Sequence, residues 1–99
     1  MADTPEVKVK KRVIAILKSI GAYYAMPVAS GYGNAGHPDI FVCYKGRFVG
    51  IECKAGGRKP TALQLYNLEK ITEAGGLSLV IDEKNVDSLI QLLGANHVG

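Results

Sequence analysis

Asp39, Glu52 and Lys54 are the residues of this chain whose types and spacing best suit a reaction centre. They lie in the stretch H-P-D-I-F-V-C-Y-K-G-R-F-V-G-I-E-C-K, residues 37–54, which reads as two apolar strands joined across Lys45-Gly46 in a β-hairpin. With those two residues as the turn, pairing runs Tyr44 with Arg47, Cys43 with Phe48, Val42 with Val49, Phe41 with Gly50, Ile40 with Ile51 and Asp39 with Glu52. Opposed side chains on neighbouring strands have Cβ atoms about 4.5–5.5 Å apart, where two like charges repel unless something neutralises them. A divalent cation with oxygen ligands is the natural neutraliser. Strand alternation places Lys54 on the same face as both acids. A competing register exists: a tight Lys-Gly turn needs a positive φ at Lys45, and a longer loop would shift the pairing by one and separate the acids.

Each of the three residues also has an ordinary explanation. Asp39 after Pro38 fits a turn at a strand start, Glu52 an exposed strand acid, and Lys54 their surface ion-pair partner. Their placement together on one face, with Ile40, Val42, Val49 and Ile51 filling the other, favours a site.

The elements that would hold these residues are legible on either side. Thr4-Pro5-Glu6 opens a first helix with an N-cap, a proline at its first position and an acid in its first turn. Val9, Val13, Ile16, Leu17 and Ile20 repeat at helical spacing until Gly21. Glu6 falls within this apolar stripe, either complementing the helix dipole or turned inward as a third carboxylate. Lys8, Lys11 and Arg12 occupy the opposite side, with Lys10 and Lys18 at its flanks, as a solvated face or a phosphate-contacting stripe. Residues 22–28 read as a strand that Pro27 ends or marks as an edge. Residues 29–36, A-S-G-Y-G-N-A-G, form a glycine-rich loop that plainly connects or touches substrate through Gly33 and Asn34. Gly31, Gly33 and Gly36 have dinucleotide-binding spacing, but a strand rather than a helix follows them, which excludes a nucleotide cofactor held this way.

Beyond the hairpin, Arg58 and Lys59 lie in a basic turn, and Thr61 to Gln64 fits a capping box starting a second helix that runs to Ala74. Gly75-Gly76 ends it, residues 77–81 form a fourth strand, and residues 85–93 a final helix with a heavily apolar face. The order is α-β-β-β-α-β-α. The 99 residues are enough for one small domain, with composition that is globular at 47% hydrophobic and 21% charged. No apolar run spans a bilayer, and the N-terminus lacks a signal-peptide core, so the expectation is a cytoplasmic protein without a membrane partner. Cys43 and Cys53 would point to opposite faces of the hairpin as reduced packing residues, without zinc spacing. A net charge of +3 is compatible with nucleic-acid binding.

Pro38-Asp39, followed thirteen residues later by Glu52-Cys53-Lys54, resembles the P-D…(D/E)-x-K motif of the restriction-endonuclease-like nuclease superfamily. The element order is similar to that superfamily's αβββαβ core, implying an α/β fold with a mixed four-stranded sheet flanked by helices and an extra C-terminal helix. The Gly36-His37-Pro38-Asp39 step, the I-E-C-K strand, the helical Glu6 and the T-x-x-Q helix start make the resemblance closest to the VRR-NUC family, the virus-type replication-repair nucleases, in the small form that phages and prophages carry. Archaeal Holliday-junction resolvases look similar too. The resemblance implies that Asp39, Glu52 and the Cys53 main-chain carbonyl bind Mg²⁺ or Mn²⁺ with Glu6 beside them. It implies that Lys54 orients the attacking water, and that Gln64 supports the site from the second helix. It further implies DNA as substrate, 5′-phosphate products and action in a host cytoplasm. His37 reads as a loop residue or a substrate contact.

So small a domain has little surface for reading bases, which favours recognition of branched DNA by shape and backbone charge. Cutting paired strands of a junction needs two sites, and Val86, Leu89, Ile90, Leu92 and Leu93 offer an apolar helix face to a symmetric partner, so a homodimer is expected. The reading from a different class is a nucleic-acid-binding or nuclease-accessory module that keeps the fold without catalysis. An RNA-splicing endonuclease fits less well, because its chemistry needs a His-Lys arrangement that has no place here.

Overall fold

The computed structural model describes residues 2–28 and 36–94. In chain order these form α1 (Pro5–Ser19), β1 (Tyr23–Ala25), β2 (Ile40–Tyr44), β3 (Arg47–Cys53), α2 (Ala62–Glu73), β4 (Leu77–Ile81), a single 3₁₀ turn (Val86–Ser88) and α3 (Leu89–Leu93). The four strands make one mixed sheet in the order β1-β2-β3-β4, antiparallel except for the parallel β3–β4 pair. A parallel pair needs a crossover connection, and α2 supplies it.

The hairpin register is the one that places Tyr44 opposite Arg47 and Ile40 opposite Ile51. The two-residue turn forms because Lys45 accepts the left-handed region, with φ 51°, beside Gly46 at φ 78°. The pairing stops at Ile40, and Asp39 lies in a bend just outside the ladder.

Alternation then sorts the sheet's two faces. Ile40, Val42, Val49, Ile51 and Cys53 join Ile81 in a core with Val9, Val13 and Leu17 of α1 and with Val86, Leu89 and Leu93. Gly50 and Glu52 alternate to the other face, where Gly50 lies against α2. A Cβ on Gly50 would stand 2.5 Å from Ile71 Cδ1 and 3.1 Å from Pro38 Cγ, so a side chain there would push α2 and the Pro38-Asp39 step away. Gly36 is pressed in the same way against the first turn of α2, where a Cβ would lie 2.5 Å from Leu63 Cγ. Ser78 Oγ donates to the Leu68 carbonyl at 2.6 Å and clasps α2 to β4.

The helix termini follow their sequence signals. The Val7 amide donates to Thr4 Oγ1 at 3.2 Å, and α2 has a complete capping box between Thr61 and Gln64. Two elements depart from expectation. β1 covers only Tyr23–Ala25 rather than residues 22–28, because it pairs on one side only and Pro27 has no amide to extend the ladder. The last helix is split into a 3₁₀ turn and one short α-helix. Its apolar face is spent internally: Val86, Leu89 and Leu93 are buried in the core, and only Ile90 is largely exposed. The surface expected to seat a second copy is therefore mostly core. Cys43 is exposed rather than packed, while Cys53 is buried, and both are free thiols.

Candidate active site

The site begins where β2 and β3 run out of ladder. Beyond Ile40 no main-chain partner from β2 meets Cys53; instead its amide donates to Asp39 Oδ2 at 2.8 Å. This side-chain bond continues the pairing by one position and fixes the Asp39 carboxylate at the mouth of the hairpin. The opposite oxygen, Oδ1, lies 3.6 Å from Lys10 Nζ.

Glu52 is only 2% exposed, so it is no surface acid. Lys54 Nζ stands 3.4 Å from its Oε2, and the lysine side chain is nearly buried. Glu52 Oε1 is buried with no hydrogen-bond donor among the described residues. Such an orphaned acceptor is costly unless another group satisfies it. Burial, then the negative charge of Asp39, pushes the Glu52 carboxyl up to about 7, with Lys54 pulling the other way and Glu6 adding a smaller upward push. The same surroundings push the Cys53 thiol up to about 12, burial first and Asp39 second, which rules it out as a thiolate nucleophile.

Glu6 is half-buried in the first turn of α1 and lines a cleft of about 250 Å³ together with Thr4, Pro5, Ala55, Gly56 and Arg58. The helical acid thus faces the exit of β3 rather than open solvent. Among the described residues no group of three or more His, Cys, Asp or Glu side chains forms a ready-made metal cluster. The donor set at the hairpin mouth is two carboxylates with the nearby main chain, and Glu6 acts on it through its charge. This set nonetheless fits a hard divalent cation, which needs few protein carboxylates and keeps several waters. The fit rests on the unpartnered Glu52 oxygen beside the Asp39 charge.

Several expected contacts fall elsewhere. Lys11 pairs with Asp3 at 2.8 Å, and Arg12 pairs with Asp87. Arg12 and Lys8 line an adjoining cleft with Glu83 and Val86, which shares Pro5 and Gly56 with the Glu6 cleft but not Glu6 itself. Arg58 reaches the site cleft, whereas Lys59 is simply exposed. His37 is exposed and its ring lies 6.1 Å from that of Phe41. Gln64 spends its side-chain oxygen on the Thr61 amide at 2.9 Å, the structural half of its expected role. Gly33 and Asn34 lie outside the described residues. Lys10 is the site residue that sequence reasoning left at the helix flank. Its spacing of four from the inward-turned Glu6 was the available signal, since residues i and i+4 share a helix face.

No family model matches the chain. It is 29% identical over 86 residues to a protein of Acyrthosiphon pisum secondary endosymbiont phage 1 named "Putative nuclease p44", an alignment covering 86% of this chain and 90% of that one. A solved structure described as a VRR_NUC domain matches it with a TM-score of 0.73 at 26% identity, over 90% of this chain and 97% of the other. The chain carries the VRR-NUC fold. The resemblance read from P-D and E-C-K is therefore borne out at the level of the whole fold. In this VRR-NUC fold the motif residues Asp39, Glu52 and Lys54 stand at one end of the sheet, with α1 and the start of α2 bordering them. No described helix is long and apolar enough to cross a membrane.

Proposed function

We propose that this domain is a divalent-metal-dependent endonuclease that hydrolyses phosphodiester bonds in DNA, with branched or junction DNA as its preferred substrate. Glu52 carries the reading: a buried carboxylate oxygen without a donor, next to the Asp39 charge and a nearly buried lysine. The names of the phage relative and of the matching domain agree with nuclease chemistry.

In this reading Asp39, Glu52 and the Cys53 main-chain carbonyl would hold Mg²⁺ or Mn²⁺, and Glu6 would add negative charge beside them. The ion, once bound, supplies Lewis acidity: it lowers the pKa of a water and stabilises charge on the leaving oxygen. Lys54 orients that water against the phosphorus and offsets the charge that builds on the non-bridging oxygens. The water oxygen would bond to phosphorus as the bond to the 3′-oxygen breaks, the water giving up a proton to solvent and the 3′-oxygen taking one up from it, which leaves a 5′-phosphate and a 3′-hydroxyl. Arg58, which lines the Glu6 cleft, would hold a neighbouring phosphate. Burial makes these charges interact more strongly than they would in water.

Junction resolution requires two cuts, and a symmetric pair of copies would provide them. The final helix has spent its apolar face, so the surface left for pairing includes exposed Tyr23, Met26 and Val28 at the β1 edge.

The test is cleavage of labelled four-way junction, flap and linear duplex in Mg²⁺ or Mn²⁺. Cleavage of the branched substrates in preference to duplex, lost with EDTA and with Asp39→Ala, is the expected result. Salt-sensitive DNA binding with no metal-dependent turnover would instead establish a binding module.

A further inference from the structure

Lys10 has no part in the motif that the fold resemblance rests on, yet it is the cation placed against Asp39. Its Nζ lies 3.6 Å from Asp39 Oδ1, with the two side chains 31% and 22% exposed. It sits one helical turn after Glu6, on the stretch of α1 that borders the site, and its charge is felt at Cys53, the residue between Glu52 and Lys54. The site therefore has two lysines, each paired with one of the two candidate ligands: Lys54 with Glu52, and Lys10 with Asp39. They differ in freedom. Lys54 is nearly buried, and its amide is tied to the Ile81 carbonyl at 2.9 Å. Lys10 is a part-exposed ammonium on a flexible four-carbon stem.

Both a divalent cation and the Lys10 ammonium would draw on the Asp39 carboxylate. Oδ2 already accepts from the Cys53 amide, so Oδ1, the oxygen that faces Lys10, has the more lone-pair capacity free and is the one for which they compete. We propose that Lys10 is a substrate-binding residue that neutralises Asp39 in the metal-free protein and, once a divalent cation takes that oxygen, is released to bind a phosphate oxygen of the scissile strand. This rests on the nuclease reading of the site. The exchange keeps Asp39 neutralised before metal arrives and supplies a free cation when the phosphodiester is present, without any change in the fold.

The exchange makes two predictions of opposite sign for Lys10→Met, whereas a merely structural lysine would weaken both interactions or neither. Titration of Mn²⁺ alone, with no DNA, should show about two- to fivefold tighter binding, the scale of a part-exposed ion pair that no longer competes. In Ca²⁺, where binding is read without cleavage, four-way junction should bind more weakly, and the slope of log K against log salt should shrink by about one phosphate contact. Lys10→Arg should keep the junction affinity. Lys70→Met removes the same charge from an exposed pair with Glu73 at 3.7 Å and should leave Mn²⁺ affinity where it is. Thermal unfolding of each variant reports whether the fold is kept. Mn²⁺ affinity that is unchanged or weaker in folded Lys10→Met, or junction binding with an unchanged salt slope, would overturn the proposal. The metal arm uses neither DNA nor turnover, so its outcome stands apart from whether wild-type protein cuts DNA.

Discussion

Glu52 concentrates the chemistry of the molecule into one titration. Its ordinary value of 4.5 is raised to about 7, so between these two values the folded protein binds a proton that the unfolded chain has released. Stability from this group is therefore greatest at or below the lower value and is lost as pH rises through the upper one. Metal-free protein should lose on the order of 3 kcal/mol between about pH 4.5 and pH 8 from Glu52 alone. Glu52→Gln should remove that slope, unfolding at higher denaturant than wild type at pH 8 in EDTA and at nearly the same denaturant at pH 5. A variant no more stable at pH 8 would mean that the carboxylate is not held against its own charge. Metal must displace the same proton, so Mn²⁺ binding near pH 6 should release about one proton, and near pH 8.5 almost none, as calorimetry in buffers of different ionisation enthalpy would read. The nearness of the acids was legible from spacing, because a two-residue turn brings the two strand ends together, although the ladder ends at Ile40 and Asp39 lies one residue outside it instead of pairing with Glu52. The burial of Glu52 was not. It depends on elements outside the hairpin, and nothing within the hairpin says what will cover it.

At the scale of elements, two glycines let α2 pack closely on the hairpin and on the segment that leads to Asp39. Gly50 lets Ile71 and Pro38 close over β3, and Gly36 lets the chain turn beside Leu63 at φ 97°. Gly50→Ala should cost about 1–3 kcal/mol by overpacking, and Ile71→Val in the same protein should recover part of that loss, since the added methyl meets the end of the Ile71 side chain. Denaturant unfolding of the single and double variants checks this, and equal stability of all three would show that the contact is not tight. Thr61→Ala should cost about 1 kcal/mol through the lost cap of α2. Helix starts, the hairpin turn and β4 were readable because caps, turn residues and apolar period are local signals. The final helix was misread in its role, since an apolar face looks the same in sequence whether a partner or the protein's own α1 and β4 will bury it. β1 was overextended because an apolar run does not reveal how many of its residues find a pairing partner.

On the scale of the whole molecule, a net charge of +3 is spread unevenly. Lys11 and Arg12 neutralise Asp3 and Asp87 on the flank of α1, whereas Lys10, Lys54 and Arg58 gather around the acids at the sheet end. With about three phosphates neutralised, junction affinity should fall with salt at a log–log slope of about −3, a value that filter binding or fluorescence anisotropy would check. Lys10 meeting Asp39 joins residues 29 apart in sequence, and no local pattern could announce that contact. Spacing along α1 showed which face it occupied but not what that face would meet. All of this turns on whether the two carboxylates share a cation. Anomalous scattering from crystals soaked in Mn²⁺ is the most direct measurement. The account predicts one peak within metal–oxygen bonding distance, about 2.0–2.2 Å, of both Glu52 Oε1 and the Asp39 carboxylate. A site that stays empty at saturating Mn²⁺, or a peak bound to only one of the two acids, would contradict it.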